Sequence, residues 1–361
     1  MKRAIYVSAM LMAALALPSA GAAATPHSFR HEVFVLGMGG AYTAGGWRGS
    51  ALFYNPASVA TKRFHLNVPI RFEFGGVGGI NELISVYNYF KDNKDNLQHI
   101  DQQPPDKVAE LDAKARELDG KGGTLRMFPA VRLGWQNFAI QTYATFDGSP
   151  VMNTGVFQPR MDLRSVSDIG IIAGYGRRMQ VFMDRWYAGV SVKYFKRWVT
   201  FNSFSLEDAA AGPGIGDVID LKNNRTGIGV DVGTLFPVGR KLTVGVVAQD
   251  LVTLGDVKPD MSLNLGMHYE LLKRVNFVAD YRDLFNSEDV PLPMHVYFGG
   301  ELDLTLLRLR GGFYQGYPTA GLGVNLWLIK LDVGYYGRER GQKLGYEPED
   351  NLAVELQIGL D

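Results

Sequence analysis

The sequence predicts an all-β fold, a transmembrane antiparallel β-barrel of about 14 strands with a helical extracellular loop. Three observations carry that prediction. Apolar and polar residues alternate through repeated segments of about 9–11 residues, the length a tilted strand needs to cross a bilayer and roughly twice that of a soluble strand. The connections between these segments alternate long and short. The composition suits a large β-structure: 43 Gly, 20 Phe and 17 Tyr in 361 residues, with no Cys and a net charge of zero.

The chain opens on an export signal. Lys2 and Arg3 give a positive start, Ala4 to Leu17 is nearly unbroken apolar, and Pro18 ends the run ahead of small residues through Ala24. Cleavage after Ala20, Ala22 or Ala24 fits the small-x-small pattern, so residues 1–22 are read as a signal peptide. The apolar stretch is too short for a comfortable helical span. The expected destination is the bacterial outer membrane, with membrane lipid as the first partner.

The first strand, Phe64 to Phe74, has an apolar residue at every even position. Further strands are expected near 124–135, 137–147, 164–175, 185–197, 226–236, 241–250, 261–270, 274–283, 293–302, 305–314, 319–327, 329–337 and 351–360. The barrel is thereby assigned to residues 63–361. The clearest lipid-facing sets are Trp186, Ala188, Val190, Val192 and Tyr194; Leu263, Leu265, Met267 and Tyr269; Val275, Phe277, Ala279 and Tyr281; Ile329, Leu331, Val333 and Tyr335; and Leu352, Val354, Leu356, Ile358 and Leu360. Trp135, Phe146, Tyr175, Trp186, Phe236 and Trp327 fall near strand ends, where interfacial girdles lie. Pro69 lacks a ladder donor and marks a candidate irregularity.

The opposite faces of these strands carry Arg126, Arg132, Asp168, Lys193, Asp231, Asp280, Arg282, Asp332 and Glu355, together with Glu301, Arg308, Arg310 and Lys330. Charges facing lipid are prohibitive, so these residues line the lumen. Both signs occur in similar number, which argues for a self-neutralising filling rather than an ion-selective pore.

Long connections are expected at about 75–123, 148–163, 198–225, 251–260, 284–292 and 338–350, with 315–318 a short exception. Short turns fall near Gln136, Val238, Leu272, Asp303 and Leu328, with a medium one at 176–184. The first long loop reads as a helical pair over about 80–120. Ile80, Leu83, Ile84, Tyr87 and Phe90 recur at helical spacing after a candidate N-cap, Asn81. Pro104-Pro105 interrupts the chain; Asp106 is a second candidate cap, followed by Val108, Leu111, Ala115 and Leu118, the pairs Glu110–Lys114 and Asp112–Arg116, and a stop at Gly120. These stripes either bury one another or form a ligand-capture groove from Leu83, Ile84, Tyr87, Phe90, Val108 and Leu111.

Ahead of the first strand, residues 36–58 contain Gly37-Met38-Gly39-Gly40-Ala41-Tyr42 and then Ser50-Ala51-Leu52-Phe53-Tyr54-Asn55-Pro56-Ala57. The glycines permit tight packing and positive φ, and Asn55-Pro56 signals a turn. This stretch resembles the N-terminal signature of the FadL/TodX-type outer-membrane transport superfamily, shared with PorV-like and TraF-like barrels. The resemblance is specific over some 40 residues and architectural elsewhere. It implies a 14-stranded barrel whose residues 23–62 fold back as a lumenal plug, with Gly37, Gly39, Gly40, Asn55, Pro56 and Ala57 in it. FadL-type members carry long-chain fatty acids or aromatic hydrocarbons; PorV-like members serve secretion and TraF-like ones are associated with conjugation. Two features depart from the pattern: the chain ends Ile358-Gly359-Leu360-Asp361 rather than on an aromatic residue, and its long helical loop is the first one.

Other chemistries find little support. A neutral chain lacks the basic excess of a general nucleic-acid binder. Neither the Gly37–Gly46 cluster nor Gly212-Pro213-Gly214-Ile215-Gly216 has a phosphate-loop or dinucleotide context. The six His form no metal-binding spacing, and there is no Gly-x-Ser-x-Gly elbow. His268 and His295 fall on inward positions, where they could approach each other or Asp280. No catalytic residue, metal or cofactor is expected, and an enzyme is disfavoured. The expected function is passive uptake of a small hydrophobic molecule, with a non-transport role as scaffold or partner in a secretion or conjugation system as the alternative.

Overall fold

The computed structural model describes residues 31–46, 51–61, 64–77, 79–154, 158–180, 185–212, 214–220, 222–287 and 289–360. The expected signal peptide, the start of the plug segment through residue 30, and residues 47–50 and 62–63 lie outside the described residues.

Fourteen strands form one closed antiparallel barrel in which each strand pairs with its sequence neighbours and the first closes on the last. They are β1 (Phe64–Val77), β2 (Gly122–Trp135), β3 (Phe138–Asn153), β4 (Arg160–Met179), β5 (Trp186–Ser205), β6 (Asn224–Val238) and β7 (Leu242–Gly255). The second half comprises β8 (Ser262–Leu272), β9 (Val275–Tyr281), β10 (Val296–Asp303), β11 (Leu307–Tyr314), β12 (Tyr317–Leu326), β13 (Ile329–Glu339) and β14 (Pro348–Leu360). Closure satisfies every edge, the condition for a sheet to sit in lipid. Alternation decides which face is which. Along β4, Ile169, Ile171 and Ala173 are exposed while Gly170, Ile172 and Gly174 are buried. No helix among the described residues is long and apolar enough to cross a membrane.

Tight turns gather at one rim and longer loops at the other, as the alternating connections require. Four of the long loops are clearly shorter than the sequence pattern implied: those expected at 148–163, 198–225, 251–260 and 338–350 contract to 154–159, 206–223, 256–261 and 340–347. The ladder of β3, β4 and β5 runs on to Asn153↔Arg160 and Arg160↔Ser205. Beyond bilayer height neither strand face meets lipid, so alternation fades while the hydrogen bonding continues. At 20 residues each, β4 and β5 make a tall wall; β9, with 7, is the low side.

The aromatic girdle is best formed at the short-turn rim. Phe64 meets Trp135 at 6.0 Å, Phe138 meets Tyr175 at 4.9 Å, and Trp186 stacks on Phe236 at 5.6 Å.

Among the described residues, seven α-helices accompany the barrel: α1 (Val33–Gly37), α2 (Ala51–Tyr54), α3 (Ile80–Asp92), α4 (Lys94–Gln98), α5 (Pro105–Arg116), α6 (Leu206–Ala211) and α7 (Ile215–Val218). The cap of α3 is Gly79, at φ 124°, rather than Asn81, and that of α5 is Pro104 rather than Asp106. Pro105 starts α5 at a position where its missing N–H costs nothing. The surface pairs form as spaced, Glu110–Lys114 at 2.7 Å and Asp112–Arg116 at 2.8 Å. Tyr89, Leu97, Leu111, Ala115 and Leu118 build a small core with Met152 of β3 and Leu206 of α6. The helical loop therefore rests on α6 and the ends of β3 and β4, while α3 also packs against β1, β2 and β14.

Candidate functional site: a filled lumen

Residues 31–46 and 51–61 lie inside the barrel against its inner wall. Helix α1 packs against β11 to β14, and the 3₁₀ turn Pro56–Thr61 packs against β3 to β6. A buried peptide segment must satisfy its backbone, and wall side chains do this. The Asp280 carboxylate accepts from Tyr42 N at 2.8 Å, Thr43 N at 3.0 Å and Thr43 Oγ1 at 2.8 Å. Thr319 Oγ1 accepts from Gly39 N and donates to Gly37 O, both at 3.1 Å. Gln249 Nε2 donates to Phe53 O at 2.9 Å.

Asn55 joins three places. Its Nδ2 donates to Thr43 O and to Thr234 O of β6, both at 3.0 Å, while its Oδ1 accepts from Ala57 N at 3.1 Å. Pro56 and Ala57 are buried beside it. Gly39 and Gly40 adopt φ +74° and +82°, and a Cβ at Gly39 would stand 2.3 Å from Phe298 O. Space and conformation both require glycine there. A Cβ at Gly37 would be 3.0 Å from the backbone of Gly321.

The wall carries a matching feature that sequence reasoning missed. Inward positions of successive strands are glycine where the segment passes: Gly189 of β5 under Pro56, Gly233 of β6 under Asn55, Gly245 of β7 under Thr43, Gly299 of β10 under Met38, and Gly334 of β13 under Val33. Cβ atoms at Gly189, Gly233, Gly245 and Gly299 would approach that segment to between 2.0 and 2.5 Å. Glycine at an inward, polar-parity position in a strand was the available signal.

The lumen residues named from the sequence are buried or half-buried on the inner faces of the strands, and most of them form ion pairs. Arg197 grips Asp168 through two 2.7 Å bonds, and Lys193 bridges Asp231 at 2.8 Å and Asp250 at 2.7 Å. Arg310 joins Glu301 at 2.8 Å and Asp332 at 2.5 Å. Arg126 binds Glu73, Glu349 at 2.9 Å and Asp147 at 3.0 Å. Two clusters reach the inserted segment. Arg132 donates to Glu32, with Glu355 accepting from Val33 N at 3.4 Å, and Arg282 contacts Asp280 at 3.3 Å and donates to Gly40 O. Arg71 adds a bond to His31 O.

Two spaces remain. A cavity of about 100 Å³ lies between the inserted segment and the long-loop rim, with His31, Tyr54, Arg282, Tyr297, Tyr314 and Met294 in its lining. Its walls are polar and apolar in equal measure. A second space is an apolar groove of about 570 Å³ in the barrel wall, lined by Val68, Ile70, Pro129, Val131, Ala144, Ile169 and Ile171 among others. The ladder is interrupted there. β1–β2 pairing skips from Asn67↔Arg132 to Ile70↔Pro129, and β2–β3 pairing skips from Met127↔Phe146 to Ala130↔Tyr143. Pro69 and Pro129, each without an N–H, stand at these gaps.

The six capture residues are not gathered on one face. Leu111 is fully buried in the helical core and Phe90 packs against it; Leu83 lies on Gly123 at the rim; Val108 is half-buried; Ile84 and Tyr87 are exposed. The two histidines do not meet each other either. His268 bonds Asn276 at 3.0 Å near the short-turn rim, and His295 bonds Arg282 O at 2.8 Å at the long-loop rim. Register explains it: four residues of β9 and β10 separate their levels.

A closed 14-stranded barrel with an apolar exterior and a paired, charged interior is an integral outer-membrane protein. Its fold is shared with the Ralstonia pickettii toluene transporter TbuX, at TM-score 0.56 and 12% identity over 92% of this chain and 98% of that one. The P. putida toluene transporter TodX matches at 0.55 and 10% identity, over 91% and 98% of the two chains. The CymD monoaromatic hydrocarbon channel matches at 0.52 and 11%, over 91% and 97%. These agree with the FadL/TodX-type resemblance of residues 36–58. The chain belongs to the family described as F plasmid transfer operon, TraF, protein, whose model matches residues 52–271, more than half its length. Comparison with curated protein sequences finds no match.

Proposed function

We propose that this protein admits small apolar molecules passively across the outer membrane, entering at the long-loop rim and leaving sideways through the wall. The observation that carries this reading is the apolar groove at the interrupted ladder of Pro69 and Pro129, where the wall has lost two backbone donors. The shared fold with toluene and monoaromatic hydrocarbon channels supports it. Apolar burial supplies the affinity, and no energy-coupling element is needed. In this reading the short-turn rim faces the periplasm, the inserted segment plugs the lumen, and the exposed Ile84 and Tyr87 of α3 are first contacts for ligand. The test is uptake of a monoaromatic hydrocarbon into cells whose outer membrane carries wild type or Ala144→Trp, which fills the groove. Loss of the excess uptake is expected; equal uptake by the variant overturns the lateral exit.

A second reading has its own observation. The family description refers to a plasmid transfer operon, and the lumen is packed with neutralised charge around an inserted segment. A barrel serving as partner in a conjugation or secretion apparatus needs no open path. Native mass spectrometry of the protein from outer membranes separates the two: a small apolar adduct supports transport, and an adduct-free barrel retaining another protein supports the partner role.

A further inference from the structure

The charge of the short-turn rim is unevenly distributed. The turns β4–β5, β6–β7 and β8–β9 lie side by side around the wall. These turns and the strand ends beside them expose Arg177, Arg178, Arg185, Arg240, Lys241, Lys273 and Arg274; against these seven cations the sequence sets two carboxylates, Asp184 and Glu270. The turns β2–β3, β10–β11 and β12–β13, at residues 136–137, 304–306 and 327–328, contain no Lys or Arg. This polarity exists in a chain of zero net charge. Interior cations of this barrel are paired with carboxylates, but among the described residues Arg177, Arg178, Arg185, Arg240, Lys273 and Arg274 form no ion pair. Their depth is also defined. Each basic turn follows or precedes a girdle aromatic by one to four residues: Tyr175 before Arg177, Trp186 after Arg185, Phe236 before Arg240, Tyr269 before Lys273. Girdle aromatics sit at headgroup level, so cations just beyond them stand at the plane of lipid phosphates. The β6–β7 and β8–β9 turns are short, at residues 239–241 and 273–274.

We propose that this half-rim binds the phosphate headgroups of anionic phospholipids in the periplasmic leaflet, seating the barrel on charged lipid along β4–β9 and leaving β10–β13 to neutral lipid. The inference goes beyond the transport reading and does not depend on it. Native mass spectrometry of the detergent-solubilised full chain, offered phosphatidylglycerol or phosphatidylcholine at equal concentration, tests it. Wild type should retain phosphatidylglycerol preferentially, and retention should fall with added salt. The variant Arg177→Gln/Arg240→Gln/Lys273→Gln/Arg274→Gln, checked for folding by heat-modifiable gel mobility, should lose about tenfold or more of that preference. As a second variant, Arg240→Gln/Arg274→Gln keeps the test available if the quadruple change fails to fold, and it should lose an intermediate share. Equal retention of both lipids by wild type, or unchanged preference in the folded variants, overturns the proposal. So does suppression of lipid retention by millimolar inorganic phosphate, which would mark a site for the free anion. Loss of a co-purifying acidic protein with lipid preference intact would assign the rim to a protein partner instead.

Discussion

At Gly189, a Cβ would stand 2.4 Å from the backbone of Pro56, an atom that cannot rotate away. Gly189→Val should therefore lower stability by about 1–3 kcal/mol through overpacking, read as a drop in thermal midpoint in detergent. Gly216→Ala, at a position with open space, should leave the midpoint unchanged. Arg132 is the counterpart among the charges, lying buried against Glu32 of the inserted segment. Arg132→Met leaves a buried carboxylate without its cation and should cost about 3–5 kcal/mol. The double change Glu32→Gln/Arg132→Met should recover much of that loss. A double-mutant cycle by thermal unfolding gives the coupling, and additive losses would show that the two side chains act separately.

At the scale of elements, the helical loop is a small folded unit resting on the tall side of the barrel. Leu111 is 0 % exposed at its centre. Leu111→Ala should cost about 2–5 kcal/mol of local stability, seen as faster amide exchange across 80–118 with the barrel strands unchanged. The surface of α5 offers a pH prediction. Lys107 and Lys114 both hydrogen-bond Glu110 and hold its carboxyl down to about 2. The folded pKa lies below the unfolded one, so the pair stabilises α5 fully above the usual carboxylate range. That contribution is lost as pH falls toward 2. Because the groups are exposed, salt should weaken it. A ¹³C titration of the Glu110 carboxyl checks the midpoint, which should rise in Lys114→Ala.

For the whole molecule, the proposed plug role of the inserted segment makes a prediction about permeability. Asp280, Thr319, Gln249 and Asn55 hold it at separate points around the wall. Asp280→Ala strips the acceptor from two backbone N–H groups and one hydroxyl. It should loosen residues 40–44 and raise single-channel conductance for small ions above the wild-type level in planar bilayers. Unchanged conductance with intact folding would mean that the remaining contacts suffice.

How much of this was legible in the sequence follows from period and parity. Alternation at period two placed all 14 strands, because lipid outside and charge inside impose opposite demands on successive residues. Arg126, Asp168 and Glu355 could be assigned to the lumen by parity alone, before any partner was known. Their pairings could not, since Arg126 meets Glu73 and Glu349 only when β1, β2 and β14 close into a ring. The heights of β4 and β5 were hidden because alternation ends where lipid ends. Asn81 lost its capping role to Gly79, whose φ of 124° turns the chain off β1 before the helix begins. Tyr87 of α3 and Leu111 of α5 each belong to an apolar stripe, yet Leu111 is buried in a core with Met152 and Leu206 while Tyr87 is left in solvent. The sequence by itself thus determined the barrel, its strand count and the identity of its two faces, since these depend on residue-by-residue polarity. Only the tertiary structure decided which wall glycines receive residues 31–46 and 51–61. Those contacts join residues more than a hundred positions apart, and no local pattern records them.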